Sequence, residues 1–191
     1  DLPNITIAKT FDSATPNGDG TFTVTYTVTV ENTGGAAGTY DLEDTPGFDD
    51  DIAINSGSFS GQNSGTLTTG TNTLATGESI VGGATHTYNL SFVLTLDLTD
   101  GVGDDVYTAC DGTSPVAGEG LFNSASLTSN GETTENEACG DLPNITVAKV
   151  FDSATPNGDG TYTVSYTVTV ENTGGAAGTY DLEDTPGFDD D

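Results

Sequence analysis

Lys9 is the only cation in the first 140 residues, and its place in the chain gives it chemical meaning. In Ile5-Thr6-Ile7-Ala8-Lys9-Thr10-Phe11 it shares parity with Ile5, Ile7 and Phe11. Alternate side chains of a strand point to opposite faces, so Lys9 is predicted to point into a core. A lone buried ammonium is costly unless it is paired. Asp44 shares inward parity with Tyr40 and Leu42, and Asn123 with Leu121, Ala125 and Leu127. Two chemistries fit these three residues. One is a buried Lys9–Asp44 ion pair with Asn123 completing its hydrogen bonds. The other is an intramolecular isopeptide bond from Lys9 to Asn123, assisted by Asp44. Burial lowers a lysine pKa and raises an aspartate pKa, which is the state amide transfer needs.

Other residues with chemical potential are plainer. Cys110 and Cys139 are the only cysteines and are predicted to form a disulfide, since no CxxC pair and a single histidine argue against a metal site. Asp49, Asp50 and Asp51 form one acidic run, and Asp97, Asp100, Asp104 and Asp105 surround another Gly-containing loop. Asp12, Asn17 and Asp19 flank an earlier turn. Ca2+ takes six to eight oxygen ligands, which such loops can supply, yet none has EF-hand spacing. The alternative is solvated acidic loops. Asn4-Ile5-Thr6, Asn89-Leu90-Ser91 and Asn144-Ile145-Thr146 fit the N-glycosylation pattern, which is short enough to arise by chance. Nothing reads as an enzyme: no GxSxG, HExxH or phosphate loop occurs, and His86 reads as a packed or capped side chain.

The elements that must hold these residues are strands. Thr21–Glu31 alternates Phe22, Val24, Tyr26, Val28 and Val30 against a row of threonines. Thr85–Asp97 does the same with Tyr88, Leu90, Phe92, Leu94 and Leu96. Shorter strands are predicted at Asn4–Phe11, Thr39–Asp44, Ile52–Ser60, Thr66–Leu74, Gly120–Ser129 and Glu132–Glu137. Turn signals separate them, including Pro16-Asn17-Gly18-Asp19-Gly20, Gly82-Gly83 and Asn130-Gly131. Many strands at this spacing without helices predict an all-β fold of immunoglobulin-like β-sandwich domains in tandem.

The tandem reading comes from self-similarity. Residues 141–191 repeat residues 1–51, differing only at Ile7/Val147, Thr10/Val150, Phe22/Tyr162 and Thr25/Ser165. The period is 140 residues, the size of a domain and too long for a solenoid unit. The expected organisation is a complete repeat at 1–140 and the N-terminal third of the next at 141–191. Ala138–Pro143 is the expected joint, stiffened by Pro143. The partial copy carries Lys149 and Asp184 without an Asn123 counterpart, and its apolar strand face would lack a partner sheet. A longer array, or strands from another chain, would complete it.

The order of motifs resembles a known family. Gly18–Thr45, with its Asn32-Thr33-Gly34 turn and Asp44-Thr45 pair, is similar to bacterial and archaeal cell-surface repeats of the DUF-eleven type, a conserved domain of unknown function. So are Gly120–Ser129 (GLFNSASLTS) and the Glu137–Lys149 passage from one copy into the next. The resemblance covers essentially the whole period. It implies an immunoglobulin-like sandwich in a large secreted or surface protein and implies no catalytic activity. Pilin and collagen-adhesin domains of related architecture join first and last strands through isopeptide bonds.

Charge bounds the partners. The chain has 30 Asp and Glu against two Lys and Arg, for a net charge of −28. Such a surface repels nucleic acid and anionic lipid. No apolar run is long enough to span a membrane, so no direct insertion is predicted for this segment. The expected role is a structural, non-catalytic module of an extracellular fibre, stalk or filament, with neighbouring copies of the repeat as partners. An adhesin that binds a glycan or surface ligand is the alternative. It would need loop aromatics, for which Phe48 and Phe59 are the candidates.

Overall fold

The architecture was read from a computed structural model, which describes residues 1–99 and 107–188. The chain divides into two units, Asp1–Leu142 and Pro143–Asp191.

In the first unit the strands are β1 (Ile5–Pro16), β2 (Thr21–Asn32), β3 (Gly38–Pro46), β4 (Ile52–Gly61), β5 (Gly65–Thr66), β6 (Asn72–Ile80), β7 (Thr85–Leu96), β8 (Asn123–Ser129) and β9 (Glu132–Ala138). They form two antiparallel sheets, ordered β1-β2-β7-β4-β5 and β6-β3-β8-β9. This is an all-β, immunoglobulin-like sandwich. Among the described residues, no helix is long and apolar enough to cross a membrane.

The alternation of β2 and β7 explains the packing. The two pair with Val24 opposite Phe92, Tyr26 opposite Leu90 and Val28 opposite Tyr88. All six are buried and meet Tyr40, Leu42, Ala125 and Leu127 of the second sheet. Cross-strand aromatic and β-branched pairs of this kind stabilise a sheet and set its register. The threonine faces of both strands point outward.

Two features depart from simple alternation. In β1 the register shifts between Phe11 and Ser13, leaving Asp12 as the extra residue of a bulge. Its carboxylate accepts hydrogen bonds from the Thr10 and Thr27 hydroxyls. The predicted strand Thr66–Leu74 is two elements instead, β5 and β6. Between them the Asn72 amide accepts from the Thr68 N–H at 2.8 Å and donates to the Gly70 carbonyl at 2.7 Å. That side chain fastens a turn where the alternating threonines mimic a strand.

In the second unit β10 (Ile145–Pro156) and β11 (Tyr162–Asn172) pair in the register of β1 and β2, bulge included. Their apolar face is uncovered, with Tyr166 42 % exposed where Tyr26 is fully buried. Residues 178–186 correspond to β3 but form no strand. Among the described residues β3 pairs only with β6 and β8, and the sequence of those strands does not recur in 143–191.

The unit boundary lies after Leu142, two residues past the sequence repeat. Ala138–Leu142 is therefore embedded in the first unit, and only Pro143 of the expected joint lies beyond it. The reason is packing: Leu142 is fully buried in the first core.

Candidate functional site: a buried lysine, aspartate and asparagine

β1, β3 and β8 bring Lys9, Asp44 and Asn123 to one point. Lys9 lies on β1 opposite Val28 of β2, and its inward parity puts its side chain between the sheets. Asp44 lies on β3, whose neighbour β8 carries Asn123 opposite Pro46. Their side chains are buried, Asp44 and Asn123 completely.

The Lys9 ammonium donates to Asp44 Oδ1, and both side chains are fully shielded from solvent. Asn123 Nδ2 donates to Asp44 Oδ2 at 3.3 Å. Asn123 Oδ1 is buried with no hydrogen-bond partner among the described residues. One carboxylate thus holds the lysine on one oxygen and the asparagine on the other. Lys9 Nζ also lies 5.2 Å from the centre of the Tyr26 ring.

Aromatic rings keep the site dry. Phe11 meets Tyr26 edge-on at 5.6 Å, Phe48 stacks on Tyr26 at 6.4 Å, and Phe92 closes the far side at 6.2 Å. The Tyr26 hydroxyl donates to the Leu121 carbonyl. Desolvation pushes the Lys9 pKa below the ordinary lysine value although Asp44 opposes it. Desolvation likewise pushes the Asp44 carboxyl up against the pull of Lys9 and Asn123. Both shifts favour the neutral amine and the neutral acid.

The backbone of Lys9 is also held. Its N–H donates to Asn136 Oδ1 of β9 at 2.6 Å. β1 is the edge of one sheet and β9 the edge of the other, so this bond caps an outward N–H and ties the two edges. Sequence reasoning missed Asn136, because it lies among polar residues of a mostly exposed strand with no parity cue.

The second unit has the same lysine and acid without the asparagine. Lys149 donates to Asp184 Oδ1, with side chains 37 % and 57 % exposed. Residue for residue the pair matches Lys9–Asp44, yet it stands in water, where an ion pair contributes little.

The other candidates have structural partners. Cys110 and Cys139 form a disulfide with 6.0 Å between their Cα atoms. Asp49, Asp50 and Asp51 each offer a carboxylate oxygen within 4.8 Å of the others. Asp49, however, accepts the Asp51 N–H at 3.1 Å on one oxygen and the Thr108 N–H at 2.9 Å on the other. That carboxylate organises its own loop. Asp100, Asp104 and Asp105 lie outside the described residues. Phe59 is buried and Phe48 packs against the core, so neither is an exposed loop aromatic. His86 Nδ1 lies 2.8 Å from the Tyr40 hydroxyl, which in turn lies 2.7 Å from that of Tyr88. This network ties the two sheets together.

Several acids share a signal that residue type alone conceals. Asp19, Asp97, Asp111 and Asp159 each accept both the N–H and the hydroxyl of the threonine two residues on. The Asp-x-Thr spacing marks turns that those threonines close. The bonds hold all four carboxyls below their ordinary pKa.

No family model and no curated protein sequence matches the chain. The resemblance to DUF-eleven repeats therefore rests on its motifs. Remote likeness to solved structures exists. The full-length major pilin SpaD from Corynebacterium diphtheriae aligns with a TM-score of 0.43 and 14 % identity over 83 % of this chain and 39 % of SpaD. The Bacillus cereus major pilin subunit BcpA, as its D312A form, aligns at 0.35 and 10 % over 88 % of this chain and 56 % of BcpA. A Vibrio harveyi exo-β-N-acetylglucosaminidase aligns at 0.33 and 12 % over 71 % of this chain and 17 % of its own. The chain thus spans well under two thirds of each. At these scores the likenesses carry no inference about activity.

Proposed function

We propose that the first unit is a self-locking structural module of a secreted or surface fibre, its sandwich cross-linked by an isopeptide bond between Lys9 and Asn123. The observation that carries this reading is the dry Lys9–Asp44–Asn123 cluster. A buried ion pair is weak evidence for stability, since apolar residues of the same volume often serve better. A lysine, an acid and an amide meeting out of contact with solvent have a chemical use instead.

The reaction balances without a co-reactant. A proton passes from Lys9 to Asp44, leaving a neutral amine and a neutral acid. The Nζ lone pair attacks Cγ of Asn123. The two ends of an asparagine amide are assigned from their surroundings, and a half-turn brings Oδ1 to the Asp44 oxygen now 3.3 Å from Nδ2. There the protonated acid donates to Oδ1 and stabilises the charge that develops on it. The C–Nδ2 bond then breaks, its electron pair leaving with nitrogen. The proton lost by Nζ reaches that nitrogen through Asp44, ammonia departs, and Asp44 is left as a neutral acid holding the proton it took from the Lys9 ammonium. The event happens once per domain and turns over no substrate.

The bond would join β1 of one sheet to β8 of the other. A chain pulled through such a domain would carry load across a covalent bridge, which suits a fibre. The −28 charge suits a solvated, mutually repelling surface. Intact-mass measurement tests the reading. The chain should be lighter than its sequence by one ammonia, plus two hydrogens for the disulfide, with the ammonia restored in Asn123→Ala and in Asp44→Ala. A mass short of only the two hydrogens overturns it.

A further inference from the structure

Leu2 and Leu142 occupy the same position of the repeat and have opposite fates. Leu2 is 83 % exposed, while Leu142 is fully buried. Sequence cannot distinguish them, because Asp1-Leu2-Pro3-Asn4 and Asp141-Leu142-Pro143-Asn144 are identical.

Leu142 is buried because the first unit has a fitted pocket for it. Its N–H donates to the Tyr107 hydroxyl at 2.8 Å, and that hydroxyl donates to Asp141 Oδ1 at 3.1 Å. The Cys110 N–H donates to the same Asp141 oxygen at 2.9 Å. The Leu121 N–H donates to the Gly140 carbonyl at 2.8 Å, holding the backbone just before the dipeptide. Gly120 permits the approach: a Cβ there would stand 2.8 Å from Asp141 Oδ1 and 2.7 Å from the Gly140 oxygen. The Cys110–Cys139 disulfide staples both sides of the pocket. An aspartate whose carboxylate accepts two hydrogen bonds, followed by a buried leucine whose N–H is held by the same Tyr107 hydroxyl, is specific recognition of Asp-Leu.

We infer that this pocket, formed by Tyr107, Cys110, Gly120 and Leu121, is a receptor for the Asp-Leu that opens a repeat, and that exposed Asp1–Leu2 is the ligand for the same pocket in another copy. The partner is thus a second copy of this repeat, joined at the N-terminal side of Asp1. Each domain of such an array is completed by the first two residues of the next, so neighbouring units are coupled in stability as well as in sequence. The inference is independent of the chemistry at Lys9.

The test has two arms on the full chain and one on a chain lengthened by a copy of residues 1–140 ahead of Asp1. In the chain as it stands, Leu142→Ala should lower the unfolding midpoint of the first unit and speed reduction of its disulfide several-fold. Leu2→Ala should change neither. In the lengthened chain the Leu2 N–H should exchange at least about tenfold more slowly than in the original, as a hydrogen-bonded amide does. Tyr107→Phe in the added copy keeps the ring and should abolish that protection. A Leu2 amide that exchanges equally fast in both chains overturns the inference, as does a Leu142→Ala first unit with unchanged midpoint and reduction rate.

Discussion

Lys9 and Asp44 form an ion pair in which neither side chain touches solvent, although 35 residues separate them and they belong to opposite sheets. Burial leaves Asp44 dependent on Lys9, and that dependence is open to measurement.

In an Asn123→Ala background, where no isopeptide bond can form, Lys9→Met should destabilise the first unit by about 3–5 kcal/mol, because it strands a buried carboxylate. The loss should depend on pH in a defined direction. Without Lys9 the folded pKa of Asp44, already raised by burial, rises further above its unfolded value. The folded state then keeps a proton that the unfolded state releases. The variant should be most stable in acid and weaken as pH rises from the ordinary carboxylate value of 3.8 towards the folded one. Denaturant midpoints of the Asn123→Ala chain with and without Lys9→Met across that range test this, and a gap that is constant with pH contradicts it.

Tyr26→Phe leaves the ring in its aromatic cluster but removes the hydroxyl that serves the Leu121 carbonyl. An unsatisfied buried acceptor costs about 1–3 kcal/mol. Chemical denaturation should show that loss, while intact mass should fall only by the one oxygen the substitution removes and keep the same ammonia deficit, since the hydroxyl's partner is the Leu121 carbonyl.

Reducing Cys110–Cys139 opens a loop that spans 29 positions. In the chain-entropy picture that costs about 3–4 kcal/mol. The drop in thermal midpoint should appear in the transition of the first unit alone, because the second contains no cysteine. Calorimetry with and without reductant separates the two.

Asp97→Asn tests the Asp-x-Thr turns. The folded pKa of Asp97 lies below its ordinary 3.8 because the Thr99 hydroxyl and N–H both donate to it. Its contribution is present above that value and is lost as pH falls through the folded pKa. The stability difference between wild type and variant should therefore shrink on acidification below about pH 3.8. Comparing the two chains cancels the general relief of charge repulsion at low pH. A difference that grows in acid refutes the assignment.

Gly140→Ala places a Cβ 2.4 Å from ring carbons of Phe11. The ring is pinned edge-on to Tyr26, so it cannot step aside freely. Overpacking of this kind costs about 1–3 kcal/mol. A midpoint unchanged by the substitution would show that Phe11 has room the packing denies it.

Local pattern alone determined much of this protein. Alternation along Thr21–Glu31 and Thr85–Asp97 is enough to name the strands and their buried faces, because a strand's side-chain period is two whatever surrounds it. The same parity turned Lys9, Asp44 and Asn123 inward, and the near-identity of 1–51 and 141–191 gave the period. Tertiary structure decided what no local pattern carries. Parity does not say which inward residues meet, and strand order put β8 beside β3 so that Asn123 reached Asp44. The turn at 68–71 looked extended until Asn72 closed it. Identical neighbours also acquired different environments. Lys9 is dry and Lys149 is wet, because only one has a second sheet over it. Leu142 is buried and Leu2 exposed, because burial belongs to the pocket that receives a side chain and not to the side chain itself.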